Sequence, residues 1–218
     1  FGFTEWRKTI GGAEITATAF VPPDTDARVL IVSWSGGARD FFWSSDLVLC
    51  GDDASAPKTR VRLQDGAFTA ENPESPFLEY PFKVLSSGNI SEYTTDRRLW
   101  QAGRADGSTD AGGFLGVRFT AEPPFVLVCG CDDEPRLREL CNFRTALAAQ
   151  NETLAHWRDA LSVVEIQTPL PALDRLFNGW LPCQVLACRL MGRSSVYQSG
   201  GAIGFRHQLQ DAVNLLAL

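Results

Sequence analysis

The sequence has no long hydrophobic run and no cluster of basic residues. Its longest apolar stretches, Val29 to Trp34 and Phe125 to Cys131, are far shorter than the roughly 20 residues that a membrane-spanning helix needs. The 20 basic residues are outnumbered by 26 acidic ones and are spread along the chain, which gives a formal net charge of −6. We therefore expect neither a membrane segment nor a nucleic-acid partner.

Cysteine is also sparse. Six cysteines in 218 residues are too few for a disulfide scaffold, and they do not form the two CxxC pairs of a common zinc site. We interpret them as small buried hydrophobic residues in a reducing compartment. The sequence therefore predicts a cytoplasmic protein with no metal site and no cofactor.

The first part of the chain, from Phe1 to about Cys131, has the pattern of short strands. Apolar residues alternate from Ile15 to Val21 until two prolines end the run, which predicts a strand with one buried face. The two apolar stretches named above are continuous, as in strands that are covered on both faces. Turn residues separate these segments, so we predict an antiparallel β-sandwich over residues 1–131.

After Cys131 the hydrophobic period becomes helical. Asp132-Asp133 can cap a helix whose first turn holds Glu134-Pro135. A second helix is predicted through Leu154 to Leu161. We assign residues 132–167 to a helical linker.

A further helical region is predicted over residues 168–218. It starts at Thr168-Pro169, and Pro182 predicts a kink. Its apolar face includes Trp180, which we assign with Trp157 to the core. One or two helices cannot bury so wide a face alone, so we expect more helices to follow in a longer protein. The start at Phe1 without methionine also suggests a longer protein.

A loop of small residues, Ser199–Gly204, follows this helical pattern and precedes Arg206. Glycines allow the backbone to approach a ligand closely. An arginine beside such a loop provides several hydrogen-bond donors, and a glutamine and an aspartate one turn later can accept from sugar hydroxyls. Taken alone, the pattern favours a structural turn between two helices.

The wider stretch from Asn178 to Asp211 is more specific. Its elements are Trp180-Leu181, Cys188-Arg189, Arg193-Ser194, Tyr197-Gln-Ser-Gly-Gly201 and Gly204-Phe-Arg-His-Gln-Leu-Gln-Asp211. In this combination the stretch resembles the start of the catalytic (α/α)6 barrel in glycoside hydrolase family 94, which includes cellobiose phosphorylase and the phosphorylase-like region of cyclic β-1,2-glucan synthase. A looser resemblance extends upstream through Phe20-Val-Pro-Pro23, Leu47–Gly51, Asn72-Pro73, Asp96-Arg97, Gly103-Arg104 and Asn142–Leu161.

This resemblance implies a fold and an activity. The fold is an α+β arrangement in which a supersandwich-like antiparallel β-sandwich is followed by linker helices and the first helices of an (α/α)6 barrel. The activity is inverting phosphorolysis or synthesis of β-glucosides, of the β-1,2-glucan or cellobiose type. A β-glucan or gluco-oligosaccharide and inorganic phosphate would be the substrates, and a homodimer is suggested. The family's general acid is an aspartate downstream of Leu218, so we assign no catalytic residue here.

The resemblance also implies a set of sugar-binding residues. Arg206 takes the place of the family residue that holds hydroxyls of the donor glucosyl unit. His207 stands where the family has aspartate, and a neutral imidazole accepts one hydrogen bond where a carboxylate accepts two. Three explanations remain open for His207: altered donor specificity, loss of activity, or a structural role. The secondary candidates for sugar binding are Tyr197, Gln198, Gln208 and Asp211.

Two other functions remain open at this point. The chain could be a non-catalytic carbohydrate-binding or subunit-interface module, because the family's sandwich is largely structural. It could also be a degenerate homologue that folds without binding sugar. The substitution at His207 is compatible with both.

Overall fold

The computed structural model describes residues 2–49, 53–75, 78–109, 112–162, 165–186 and 213. These residues fall into two compact units, residues 2–153 and the residues from Leu154 onward. Among the described residues, no helix is both long enough and apolar enough to span a membrane.

The first unit contains ten strands within its described residues, and neighbouring strands run antiparallel. They are β1 (Phe3–Ile10), β2 (Ala13–Phe20), β3 (Ala27–Trp34), β4 (Arg39–Asp46), β5 (Arg60–Gln64), β6 (Ala67–Glu71), β7 (Phe82–Ser86), β8 (Asn89–Thr94), β9 (Phe114–Ala121) and β10 (Phe125–Gly130). Seven form one sheet in the order β1-β2-β3-β10-β7-β6-β5, and three form a second sheet in the order β4-β9-β8.

The two sheets pack face to face around one apolar cluster. Alternate residues of the central strands supply it, among them Val32 and Trp34 from β3 and Phe125 and Leu127 from β10. The smaller sheet adds Phe119 and other residues of β9. Because side chains alternate along a strand, the residues between these point to the other face of the larger sheet.

That other face is covered by helices. Helix α2 (Glu134–Leu140) and the first half of α3 (Phe143–Leu161) pack on it. Leu137 and Leu140 of α2 share a second apolar cluster with Val126 and Val128 of β10. The first unit therefore has three layers, namely the small sheet, the large sheet and helices, and the central strands are buried on both faces as their continuous apolar sequences predict.

The predictions for β2, β3, β10 and α2 agree with the structure to within a few residues, whereas the helix predicted from Leu154 to Leu161 is only the end of α3. The alternation from Ile15 to Val21 corresponds to β2, and the start at Glu134-Pro135 is the first turn of α2. Asp133 occupies the N-cap position of α2, but its side chain makes no capping hydrogen bond. A short helix, α1 (Arg97–Gln101), was not predicted, and Asp96 caps it by accepting from the amides of Arg98 and Leu99.

The second unit begins with the end of α3, residues 154–161, and its described part is helical again after residue 170. Helix α4 (Pro171–Arg175) continues into a π-helical turn, Leu176–Trp180, and then into α5 (Leu181–Val185). Pro182 has no amide N–H, so it cannot bond to the carbonyl four residues earlier. A π turn immediately precedes Pro182. In this turn the Leu181 amide donates a hydrogen bond to the carbonyl of Leu176, five residues earlier. The predicted irregularity at Pro182 is therefore present as a π turn.

The predicted boundaries at 131/132 and 167/168 remain predictions, as does the (α/α)6 barrel. Of residues 187–218, the structure describes residue 213 alone. The antiparallel sandwich followed by helices, by contrast, is the architecture of the described residues.

Candidate functional site

The six predicted sugar-binding residues lie outside the described residues. They are Arg206, His207, Gln208, Asp211, Gln198 and Tyr197. Their roles therefore remain predictions, and the described residues of the same segment, up to Leu186, show how it begins.

The segment that resembles the barrel start is anchored at its first residue, Asn178. Its side-chain amide donates to the Ile166 carbonyl and its side-chain oxygen accepts from the Ile166 amide, both at 2.8 Å. Asp174 makes a similar link, since its Oδ1 accepts from the Thr168 amide at 2.9 Å and from the Thr168 hydroxyl at 2.8 Å. Two polar side chains of the helical segment thus fix the extended stretch that leads into it. This explains why the helix begins at Pro171 and not at Thr168, where the sequence predicted it.

The apolar face of the helical segment is open. Trp180 is 52% exposed, and Leu176, Phe177 and Leu181 are exposed with it. Trp180 is therefore exposed in the described structure, whereas Trp157 is half-buried. The assignment of Trp180 to the core stays a prediction for a longer protein in which further helices cover this face.

Two of the upstream landmarks hold the sandwich together. Asn72 is buried, donates from Nδ2 to the Thr59 hydroxyl at 3.1 Å and accepts from the Glu74 amide at 2.9 Å. The Thr59 hydroxyl in turn donates to the carbonyl of Leu47, a buried residue that follows β4. The landmarks at Asn72 and Leu47 are therefore linked to each other through Thr59, and their role is to join loops.

Another landmark, Asp96-Arg97, is also structural. Asp96 caps α1. Arg97 forms an ion pair with Asp46 at the end of β4, and its guanidinium carbon lies 5.2 Å from the ring centre of Phe114. Asp46 is thus engaged by a cation.

A polar cluster that the sequence did not predict lies on the small sheet. Asp40 Oδ2 accepts from Arg118 Nη2 at 2.6 Å, and its Oδ1 accepts from the Thr120 hydroxyl at 2.7 Å. The hydrogen bond from Arg118, and after it the one from Thr120, lowers the pKa of Asp40. A general acid needs a raised pKa, so Asp40 is unsuited to that role. The register of β4 against β9 creates this cluster, and no local signal in the sequence indicates it.

An open cavity of about 710 Å³ lies between the two sheets, within the size range of ligand sites. Its lining is mainly apolar and includes Trp6, Trp43, Phe82 and Cys129, with Arg28 as a charged member. Asp46 also lines it but is engaged by Arg97. A polyhydroxylated sugar needs many hydrogen-bonding groups, so this cavity does not match one.

Cys129, Cys131 and Cys141 of the first unit are partly buried thiols whose ionisation is disfavoured. Burial raises the pKa of Cys129 to about 12 and that of Cys141 to about 12, and it also raises the pKa of Cys131. Each of these thiols is free and half-buried. Across the described residues, no group of three or more possible metal ligands comes together.

Residues 156–218 match the sequence profile of the glycosyl hydrolase 94 superfamily, catalytic domain. The match includes the whole stretch from Asn178 to Asp211 that carries the resemblance. Over these residues the chain belongs to the glycosyl hydrolase 94 superfamily. The family consists of carbohydrate-active enzymes, and the matched segment contains all six predicted sugar-binding residues.

Two characterised proteins are similar in sequence. The cyclic beta-(1,2)-glucan synthase NdvB of Rhizobium meliloti (strain 1021) is 36% identical over 256 residues, which cover 99% of this chain and 9% of that protein. The N,N'-diacetylchitobiose phosphorylase of Vibrio proteolyticus is 29% identical over 116 residues, covering 47% of this chain and 14% of that protein. The chain thus spans only a small part of the length of either relative.

Solved structures give weaker likenesses. A bacterial glucoamylase complexed with acarbose has a TM-score of 0.47 at 12% identity, over 72% of this chain and 27% of that one. The family GH92 alpha-mannosidase BT3965 from Bacteroides thetaiotaomicron has a TM-score of 0.33 at 10% identity, over 77% and 23%. Likenesses of this size carry no information on activity.

Proposed function

We propose that this chain is the β-sandwich and barrel entrance of an enzyme that makes or phosphorolyses β-glucosides, with a β-1,2-glucan as the leading substrate. The observation that carries the proposal is the 36% identity to a cyclic β-(1,2)-glucan synthase, because the alignment covers 99% of this chain and so includes both sandwich and barrel segment. The similarity to a chitobiose phosphorylase supports phosphate as the second substrate.

The proposed division of labour follows from the described residues. In the sandwich, the buried Asn72, the ion-paired Arg97 and the doubly hydrogen-bonded Asp40 all have structural partners. Sugar recognition is assigned to the barrel segment, where Arg206 would hold hydroxyls of the donor glucosyl unit. Asn178 contributes indirectly, since its two hydrogen bonds to Ile166 fix the start of the helix that leads toward this segment.

The proposed chemistry is an inverting displacement. Phosphate attacks the anomeric carbon while a carboxylic acid of the complete enzyme, located downstream of this chain, protonates the leaving glycosidic oxygen. The bond from carbon to phosphate oxygen forms on the face opposite the bond that breaks. In the synthetic direction the reaction is reversed, so the same carboxylate acts as the base and takes the proton of the attacking hydroxyl.

The test is phosphate consumption by the complete enzyme with β-1,2-gluco-oligosaccharides and with cellobiose, comparing the native protein with His207→Asp. Phosphorolysis by the native protein would support the proposal and would show that the donor site accepts histidine. Activity in His207→Asp alone would identify a decayed site. Absence of activity in both, with both proteins folded, would contradict the proposal and favour a non-catalytic module.

A further inference from the structure

The cavity between the two sheets arises because the sheets differ in width. Three strands face a sheet of seven, and neighbouring strands lie about 4.8 Å apart, so the smaller sheet covers only part of the larger one. On one side, β1 and β2 of the large sheet and β4 of the small sheet line an open space of about 710 Å³. Open apolar surface of this kind is typical of a binding site.

The floor of the cavity is a row of small and aliphatic side chains. Ala19, Leu30 and Leu127 lie side by side on β2, β3 and β10, and all three line the cavity. Ala17 lies two residues before Ala19 on the same face and is paired with Trp6 of β1. Both alanines are half-buried, and larger side chains at these positions would fill the space. The cavity therefore results from residue size as well as from sheet width.

Two tryptophans stand at the sides of this floor. Trp6 of β1 is 54% exposed, and Trp43 of β4 lines the cavity from the smaller sheet. Rings at these two positions offer large apolar surfaces to a molecule on the floor. The floor and sides together suit the apolar part of a ligand.

A positive charge lies at the solvent side of the cavity. Of the described lining residues, Arg28 alone is a cation. It lies on β3 opposite Cys129 of β10, in the row next to Leu30 and Leu127 on the same face, and it is exposed. No ion pair joins Arg28 to a carboxylate among the residues that the structure describes. Its guanidinium is therefore available to a ligand that enters from solvent.

The acidic groups at the same cavity are neutralised. Asp46 at the end of β4 lines the cavity but forms an ion pair with Arg97. Burial raises the pKa of the Cys129 thiol to about 12, so this group is uncharged near neutral pH. The charge at the lining therefore favours an anion, and a guanidinium can donate two parallel hydrogen bonds to a carboxylate.

We propose that this cavity binds a free aliphatic carboxylate, with the alkyl chain on the floor between Trp6 and Trp43 and the carboxylate on Arg28. The site is formed by the first unit alone, so the inference does not depend on the proposed activity. Each methylene that is fully buried strengthens binding about fourfold. The affinity is therefore expected to rise with chain length until the cavity is filled.

The test is calorimetric titration of the 218-residue chain with decanoate, below the concentration at which decanoate forms micelles. Saturable binding at a single site is expected. Octanoate, which is two methylenes shorter, should bind about tenfold more weakly. Decan-1-ol and decylammonium should each bind about tenfold or more weakly than decanoate, because neither offers an anion to the guanidinium.

Arg28→Met tests the contact with the carboxylate. Methionine keeps an apolar stem without the charge, so decanoate affinity is expected to fall about tenfold while decan-1-ol affinity stays unchanged. A general disturbance of the fold would weaken both ligands equally. Arg7→Met is the matched control, because Arg7 is exposed on the face of β1 opposite to Trp6. It removes the same charge and should leave both affinities unchanged.

Ala19→Leu tests the position of the alkyl chain. The larger side chain occupies the floor, so all of the ligands should bind more weakly. Thr16→Leu is the matched control, since Thr16 lies on the other face of β2. Circular dichroism melting checks that each variant is folded.

Several results would overturn the proposal. They are the absence of saturable decanoate binding, equal affinity for decanoate and decylammonium, and native affinity in a folded Ala19→Leu variant, which would place the ligand elsewhere. Flotation with phosphatidylcholine vesicles that contain phosphatidylglycerol distinguishes a free acid from a membrane lipid. The chain is expected not to float with these vesicles, and flotation that Arg28→Met abolishes would contradict a free ligand.

Discussion

At the scale of single residues, Asn72 is the polar side chain on which the sandwich depends most clearly. Its side chain hydrogen-bonds to the Thr59 hydroxyl and the Glu74 amide. Removing it leaves buried polar groups with one partner fewer, at about 1–3 kcal/mol for each group left unsatisfied. We expect Asn72→Ala to lower the free energy of unfolding by about 2–3 kcal/mol, measured by urea denaturation.

The matched control is Asn151→Ala, which removes an exposed asparagine from α3. It should leave the unfolding free energy unchanged or slightly raised, because alanine is the better helix former. Equal effects of the two substitutions would show that the hydrogen bonds of Asn72 do not matter for stability. The sequence identified Asn72-Pro73 as a landmark but could not give its role, since Thr59 lies thirteen positions away and only the fold brings it close.

Cys129 and Cys141 make stability depend on pH. Burial raises the pKa of each to about 12, from a usual value of 9.0. Below pH 9 both thiols are protonated in the folded and unfolded states, so their ionisation does not lower the free energy of unfolding. Above pH 9 the unfolded chain loses protons that the folded chain retains, so we expect the unfolding free energy to fall as pH rises from about 9 toward 12.

Alkylation provides the measurement. At pH 8 the folded state should hold about a thousandfold less Cys129 thiolate than the unfolded state, from the pKa values of about 12 and 9.0. Iodoacetamide should therefore modify Cys129 slowly in buffer and readily in urea, as followed by mass spectrometry. Rapid modification in buffer would mean that the cavity gives solvent access to this thiol. The Cys129→Ala variant should show a smaller loss of stability above pH 9.

At the scale of elements, the contact between α1 and β9 rests on a glycine. A Cβ at Gly116 would overlap the indole ring of Trp100 in α1. We expect Gly116→Ala to destabilise the fold by about 1–3 kcal/mol, because the half-buried indole ring must shift away from β9. In a Trp100→Ala background the same substitution should cost clearly less, which a double-mutant cycle in urea measures.

Gly37→Ala is the control for this pair, since a Cβ there meets no atom within 4 Å and its backbone is not left-handed. It should leave stability nearly unchanged. An equal cost of Gly116→Ala with and without Trp100 would assign the effect to the backbone of β9 and not to packing. Nothing local marks Gly116 in the sequence, because α1 itself was not predicted.

The elements that were predicted share a physical reason. β3 and β10 are buried on both faces, so their whole sequences are apolar and identify them. β1 was harder to recognise, because an edge strand can be exposed on both faces and mixes Trp6 and Ile10 with charged residues. Strand order and the separation into two sheets depend on contacts across the chain, which local patterns do not contain. For the candidate site, the order of motifs in the sequence identified the family and the candidate residues. These residues lie outside the described part of the structure.

At the scale of the whole molecule, the structural contacts described above lie in the first unit, and sugar recognition is proposed for the second. Most polar landmarks of the sandwich are engaged within the sandwich, and the family match begins at residue 156. A substitution that impairs the sandwich should therefore lower stability, whereas one in the matched segment should impair sugar binding, and the two effects can be measured separately.

Arg206→Ala in the complete enzyme tests the recognition side of this division. Hydrogen bonds to a charged group contribute about 1.5–3 kcal/mol, so the loss of donor-sugar affinity is expected to be about tenfold or more. The melting temperature and the sedimentation behaviour should not change, because the residue is assigned to the ligand and not to the fold. Arg175→Ala is the matched control, since it removes an exposed arginine from α4 in the same family segment. Calorimetric titration with a gluco-oligosaccharide measures the affinity, and unchanged binding by Arg206→Ala would remove this residue from the proposed site.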